Sequence, residues 1–395
     1  MGRIRYAVGV ALRSGATPLL LGLRWARGAQ RDRQQHVPPA RWNVKLASKA
    51  ALDELFFATE LASGPFLRIR DLGRAAAEID AALAFFRERG WDRRPAEYHA
   101  TPPPARQPAR VWRRSPWGEY QHLQFDSGYE PYLGEPGRTR WLSYRANRRA
   151  HAWLLEHRGA PRPWLVCVPG YRMGRPSVDF TGFRARWLHH GLGLNVAIPV
   201  MPLHGPRRVG RRGGDGFFSG DFVDTVHAQA QAVWDTRRLI GWLRRRGEAP
   251  VGAYGISLGG CTTGLLAGLE ADLDCVIVGI PATDFTRLLR NQMPEFVARA
   301  VERTVFPLAQ VEELLRLVSP LAIPRRVPRE RCFLYAAVAD RLASPDQARD
   351  LWEHWGRPHL EWYEGSHVSF LWEKTVKSLI VEALDACGMS PRESG

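Results

Sequence analysis

The feature that most constrains this chain is Gly255-Ile256-Ser257-Leu258-Gly259-Gly260. It follows a short apolar run, Val251 to Tyr254, and precedes a helix-like run, Cys261 to Glu270. A serine between glycines at a strand-to-helix junction sits on a sharp turn. The turn holds its backbone in strained dihedrals and stands its hydroxyl at the edge of a sheet. Strand and helix then meet without side-chain clash because glycine carries no Cβ.

Two further sites follow in a telling order. The apolar run Cys332 to Val338 ends in Ala339-Asp340, and Leu360 to Tyr363 ends in Glu364-Gly365-Ser366-His367. Nucleophile, acid and base thus occur in the order Ser, Asp, His, with acid and base each just past a strand. On these residues the chain resembles the α/β-hydrolases, over about residues 110 to 388.

The resemblance implies a serine hydrolase of the esterase or lipase kind, independent of any cofactor, acting on a small-molecule acyl ester. Ser257 would be the nucleophile, His367 its base and Asp340 the orienting acid. Asp284, after the preceding strand, is an alternative acid, and Asp346 is a weaker one that suits a helix N-terminus. The family's oxyanion donors map onto the N–H of Leu258 and a loop at Pro169-Gly170-Tyr171-Arg172-Met173-Gly174. Proline has no N–H, so Tyr171 is the expected second donor. The same apparatus serves amidases, peptidases, thioesterases and acyltransferases. A catalytically silent protein acting at a membrane surface or on a partner is the reading from another class.

The rest of the chain is read by periodicity. Residues 45 to 62 and 72 to 89 carry helical apolar spacing, Gly90 stops the second run, and Thr101-Pro102-Pro103-Pro104 is a connector. Beyond it strands and helices alternate. Tyr120 to Phe125 and Ala150 to Leu155 read as antiparallel leading strands. Trp164 to Val168, Asn195 to Val200 and Cys275 to Ile280 read as buried strands. Val178 to Leu192, Asp224 to Arg246 and a final stretch bearing Val376, Leu379, Ile380 and Ala383 read as helices. The expected fold class is α/β: a mostly parallel sheet with helices on both faces, a helical cap and an N-terminal helical extension. The expected divisions are an arm at 1–40, a helical extension and connector at 41–105, and a catalytic domain at 106–395. The alternation is interrupted at about 285–325, with runs Phe296 to Phe306 and Val311 to Val318; the resemblance implies a cap over the active site there, and the alternative is an ordinary crossover helix with an extra turn.

Composition bounds the partners. The formal charge is +16, but only Lys45, Lys49, Lys374 and Lys377 are lysine among 56 basic residues. So pronounced an arginine skew reflects base composition as much as a basic surface, and no nucleic-acid motif accompanies it. Residues 1 to 50 hold eight arginines and two lysines against Asp32 alone, and Ile4 to Leu23 is apolar apart from Arg5 and Arg13. This arm reads either as a contact with an anionic membrane surface or as an extension packed on the body, with a signal peptide or anchor as the third choice. Five cysteines, odd in number and without metal-ligand spacing, fit a reducing cytoplasm. The stretch from Leu203 to Phe222, with Arg207, Arg208, Arg211 and Arg212, reads as a solvated loop or as a lid or clamp for an acidic group. The pattern leaves the oligomeric state open.

Overall fold

A computed structural model describes residues 35–63, 72–292 and 307–390. Among these, nine strands form one sheet. They are β1 (Ala109–Ser115), β2 (Gly118–Asp126), β3 (Arg149–Leu155), β4 (Trp164–Val168), β5 (Asn195–Pro199), β6 (Val251–Ile256), β7 (Val276–Gly279), β8 (Cys332–Ala337) and β9 (His359–Tyr363). The spatial order is β1-β2-β3-β5-β4-β6-β7-β8-β9. The first three strands pair antiparallel, β3 pairs antiparallel with β5, and from β5 onward all pairs are parallel.

The parallel strands β4 to β8 are short, mainly apolar runs because both faces of the sheet are covered there, while the edge strand β9 is only half-buried. β4 shows the alternation: Val166 and Val168 join one core while Leu165 and Cys167 join the other. The helices are α1 (Val44–Ser63), α2 (Leu72–Glu88), α3 (Phe222–Arg244), α4 (Leu258–Leu269), α5 (Phe285–Gln292), α6 (Leu308–Leu315), α7 (Pro345–His354) and α8 (Lys374–Ala386), with shorter turns between. One core takes residues from α2, α3, α4 and α6, and the other takes Phe180, Phe183, Leu188 and the Val376, Leu379, Ile380, Ala383 stripe of α8. Every residue of α4 is buried, in keeping with a sequence that carries no charge and only Thr262 and Thr263 as polar side chains.

The structure departs from the periodicity in three places. β1 was not expected; six of its seven residues are exposed, so neither face leaves an apolar pattern to read. The single helix expected over Val178 to Leu192 is broken. A helical turn spans Pro176–Gly182, Arg184 takes a φ of 49°, and the chain resumes as a wide turn at Trp187–Gly191. α4 starts at Leu258, three residues before the expected Cys261.

The arginine-rich loop also divides. Arg208 and Arg211 are exposed, but Arg207 is completely buried. Its guanidinium donates to Val200 O and Asn147 O, both at 2.9 Å, and to Asp235 Oδ2 at 2.8 Å. Arg207 is therefore a strut between the loop and α3, not a clamp for substrate. Arg207→Ala leaves the buried Asp235 carboxylate without its cation and should lower the unfolding free energy by about 3–5 kcal/mol. Urea denaturation measures this, and a change below about 1 kcal/mol would return Arg207 to the solvated-loop reading.

Among the described residues no helix is long and apolar enough to cross a membrane. The arm expected to touch a membrane surface lies, up to residue 34, outside the described residues, as does the Phe296 to Phe306 run of the cap.

Candidate active site

β4 lies between β5 and β6, so the chain winds to one side after β4 and to the other after β5. Such a reversal opens a crevice at the C-terminal strand ends. Ser257 follows β6 directly and faces this crevice. Its φ and ψ are 56° and −118°, outside the comfortable regions for an L-residue. The turn is pinned by hydrogen bonds from Ser257 N–H to Gly279 O at 2.9 Å and from Cys261 and Ala282 N–H to Ser257 O at 3.1 and 3.2 Å. A Cβ on Gly255 would overlap Gly259 O, and one on Gly259 would overlap Val168 O. Only glycine at both positions allows the strand and helix to come this close.

The expected base, His367, follows β9, and the expected acid, Asp340, follows β8. His367 Nε2 lies 2.9 Å from Ser257 Oγ, and its Nδ1 lies 2.7 Å from Asp340 Oδ2. A carboxylate only accepts, so Nδ1 carries the proton, and neutral Nε2 then accepts from the serine hydroxyl. Asp340 Oδ1 is separately held by the N–H groups of Leu342 at 2.9 Å and Ala343 at 2.8 Å. Burial by itself pushes the His367 imidazole down, but the negative charges of Asp340 and then Asp53 outweigh it and raise its pKa overall.

The other two acids are engaged elsewhere. Asp284 caps α5 through Arg287 N–H at 2.9 Å and meets the Arg287 side chain at 3.2 Å. Asp346 pairs with the same guanidinium at 2.6 Å.

Opposite the serine lies the loop after β4. Gly170 packs against Ser257, and its N–H donates to Met173 Sδ at 3.1 Å. The next residue, Tyr171, lines the crevice together with Leu258. Arg172, at a φ of 70°, anchors the loop. It donates to Glu60 Oε2, Gly213 O and Asp215 Oδ1, each at 2.7 Å. Gly174 N–H is held by the buried Asp179 Oδ1 at 2.7 Å. Desolvation raises the Asp179 carboxyl to about 7, opposed by that N–H and by the Trp153 indole.

The crevice opens into a cavity of about 510 Å³. Its walls are mainly apolar, with Phe56, Phe57, Met173, Phe218, Leu288 and Phe370 among them. The resemblance placed a cap here, and of its described residues only Leu288 and Gln292 reach the cavity. α6, from the same segment, packs on α2, α3 and α5 instead. The unforeseen wall is α1, which supplies Phe56, Phe57 and Glu60 and sends Asp53 to the loops behind His367. A signal was present: the buried residues of α1 are Leu46, Ala50, Asp53, Glu54, Phe57 and Glu60, with three acids at core-facing positions. Among the described residues, no three His, Cys, Asp or Glu side chains converge as a metal site.

Comparison with known proteins gives two kinds of likeness. The sequence is 41% identical over 364 residues to the uncharacterized protein MT2702 of Mycobacterium tuberculosis (strain CDC 1551 / Oshkosh), covering 92% of this chain and 86% of that one. It is 40% identical, with the same coverage, to the uncharacterized protein Rv2627c of Mycobacterium tuberculosis (strain ATCC 25618 / H37Rv). No protein-family model matches the sequence. Among solved structures, acetyl xylan esterase 1 from Thermoanaerobacterium sp. JW/SL YS485 superposes with a TM-score of 0.51 at 14% identity, covering 74% of this chain and 98% of that one. The acetyl xylan esterase from Paenibacillus sp. R4 gives 0.51 at 16% identity, covering 76% and 94%. At these identities the likeness establishes the fold, which is that of the α/β-hydrolases.

Proposed function

We propose that this chain, which belongs to one family with the Mycobacterium tuberculosis proteins MT2702 and Rv2627c, is a serine hydrolase that cleaves carboxylic esters of apolar acyl groups. One observation carries the reading: the hydrogen-bonded line from Asp340 through His367 ends at Ser257 Oγ, in the wall of an apolar cavity.

Ser257 is a weak nucleophile as a neutral hydroxyl. As its Oγ attacks the acyl carbon, His367 Nε2 takes the proton, and Asp340 stabilises the imidazolium. The carbonyl oxygen becomes an oxyanion and accepts from the N–H groups of Leu258 and Tyr171. When the tetrahedral intermediate collapses, His367 returns the proton to the leaving alkoxide and the acyl group remains on Ser257. Water then attacks with His367 again as base, releasing the carboxylic acid. The cavity beside Ser257 holds the acyl chain, and its apolar lining favours an ester over a charged or peptidic substrate.

A series of p-nitrophenyl esters of rising acyl length, with the matching anilides, tests this. Each methylene that enters the cavity is worth up to about 0.8 kcal/mol, so kcat/KM should climb by at most about fourfold per methylene and level off when the cavity is full. A flat profile would place the acyl chain elsewhere. Turnover of the anilides alone would make the protein an amidase.

A further inference from the structure

Asp53 lies on α1, 314 residues before His367, and is completely buried. Leu52 and Leu55 of the same helix are 39% and 62% exposed. The helix thus buries a carboxylate and exposes leucines, the reverse of what folding alone would select. Every hydrogen bond the structure gives this carboxylate goes to a loop of the proposed active site. Oδ2 accepts from Arg341 N–H at 3.0 Å and from His367 N–H at 2.9 Å, while Oδ1 accepts from Val368 N–H at 3.0 Å. Arg341 directly follows Asp340. One side chain therefore ties the backbone of the acid loop to the backbone of the base.

We propose that Asp53 is a positioning residue, holding the Asp340 loop and the His367 loop in register so that Nδ1 meets the acid while Nε2 meets Ser257. This rests on the serine hydrolase reading above. Asp53 contacts no reacting atom and acts through His367, in two ways. Its three accepted hydrogen bonds set where the imidazole is anchored, and its charge helps hold the proton that His367 takes from Ser257.

The surroundings specify the charge balance. Asp53 faces Asp340 and His367 across the loops and lies near the Tyr363 hydroxyl at the end of β9. Of the neighbouring cations, Arg341 pairs with Glu54 at 3.1 Å and Lys49 with Glu373 at 2.5 Å. Burial and then the Asp340 charge push the Asp53 carboxyl up to about 6, against the pull of His367 and the N–H groups. Below that pH the carboxyl gains a proton, which meets one of the three N–H donors and removes the charge beside His367. Another buried acid on α1, Glu60, accepts from Arg172 beside Tyr171, so the same helix also grips the loop opposite the serine.

Asp53→Asn is the discriminating variant. Its amide must turn an NH2 toward at least one of the three N–H groups, and it carries no charge. In folded protein we expect kcat on a p-nitrophenyl ester to fall about 10- to 100-fold with KM changed less than about threefold. The acidic limb of kcat/KM should move to lower pH, since a charge that raises the His367 pKa is gone. A folded variant with unchanged kcat and an unmoved limb overturns the proposal. Wild-type protein gives a second measurement that needs no variant and no turnover. The amide resonances of Arg341, His367 and Val368 should be protected from exchange and shift together through one transition near pH 6; three independent, rapidly exchanging amides overturn the proposal. Failure of the hydrolase reading itself appears separately, as wild-type protein that neither turns over esters nor reacts with a fluorophosphonate.

Discussion

Ser257→Ala is expected to lower ester turnover by about 10⁴-fold or more and to abolish fluorophosphonate labelling, with the protein still folded. The hydroxyl is the atom that the His367 line serves, at 2.9 Å from Nε2, and alanine leaves nothing there to deprotonate. Substrate binding should persist, because the cavity walls are untouched. The same position makes a stability prediction. Alanine keeps a Cβ and therefore keeps the strain of a residue at φ 56°, whereas glycine does not. Backbone strain of this kind is of order 1–3 kcal/mol, so urea denaturation should find Ser257→Gly about 1 kcal/mol more stable than Ser257→Ala, even though glycine loosens the unfolded chain. Retained labelling in the alanine variant would point to a different nucleophile.

Asp340→Asn is expected to lower kcat by about 10³- to 10⁴-fold without unfolding the protein. The local hydrogen bonds decide how. Leu342 and Ala343 both donate to Oδ1, so that atom must stay an acceptor, and the asparagine NH2 is forced into the place of Oδ2. There it faces His367 Nδ1, now 2.7 Å from a donor rather than an acceptor. The imidazole must shift its proton to Nε2, the nitrogen that should accept from Ser257. The pH profile carries a second signature. On the proposed mechanism the base works only when neutral, so kcat/KM should rise with pH through the His367 pKa, which Asp340 and Asp53 raise. Removing the Asp340 charge lowers it, so the acidic limb should move to lower pH while the plateau falls. A drop of less than tenfold would assign the acid role to another group.

The elements nearest the chemistry were legible in the sequence because each is a local pattern. An apolar run, a glycine-flanked serine and a helix announce the elbow, and Asp340 and His367 each sit one or a few residues beyond a strand. The strands themselves were legible because burial on both faces demands continuous apolar runs. β1 left no such trace, since an exposed hairpin edge places no demand on its side chains. The break after Gly182 was hidden because the apolar spacing of 178–192 continues through it while Arg184 reverses the backbone.

The arginine loop and α1 show the opposite limit. Arg207 and Arg208 are neighbours of one chemistry, yet one is a buried strut and the other is exposed, because only Arg207 meets Asp235 across the fold. Asp53, Glu54 and Glu60 break the apolar stripe of α1, and the stripe alone cannot tell a solvent-facing acid from one that, like Asp53, receives three N–H groups from loops about 300 residues away. By itself the sequence determined the alternation of strands and helices and put Ser257, Asp340 and His367 just past strand ends, since these follow from short-range periodicity and turn chemistry. Only the tertiary structure decided which acid meets His367, which helix walls the cavity, and that a carboxylate from α1 accepts from the backbone of both loops. Those choices depend on distances between segments far apart in the chain, which no local pattern encodes.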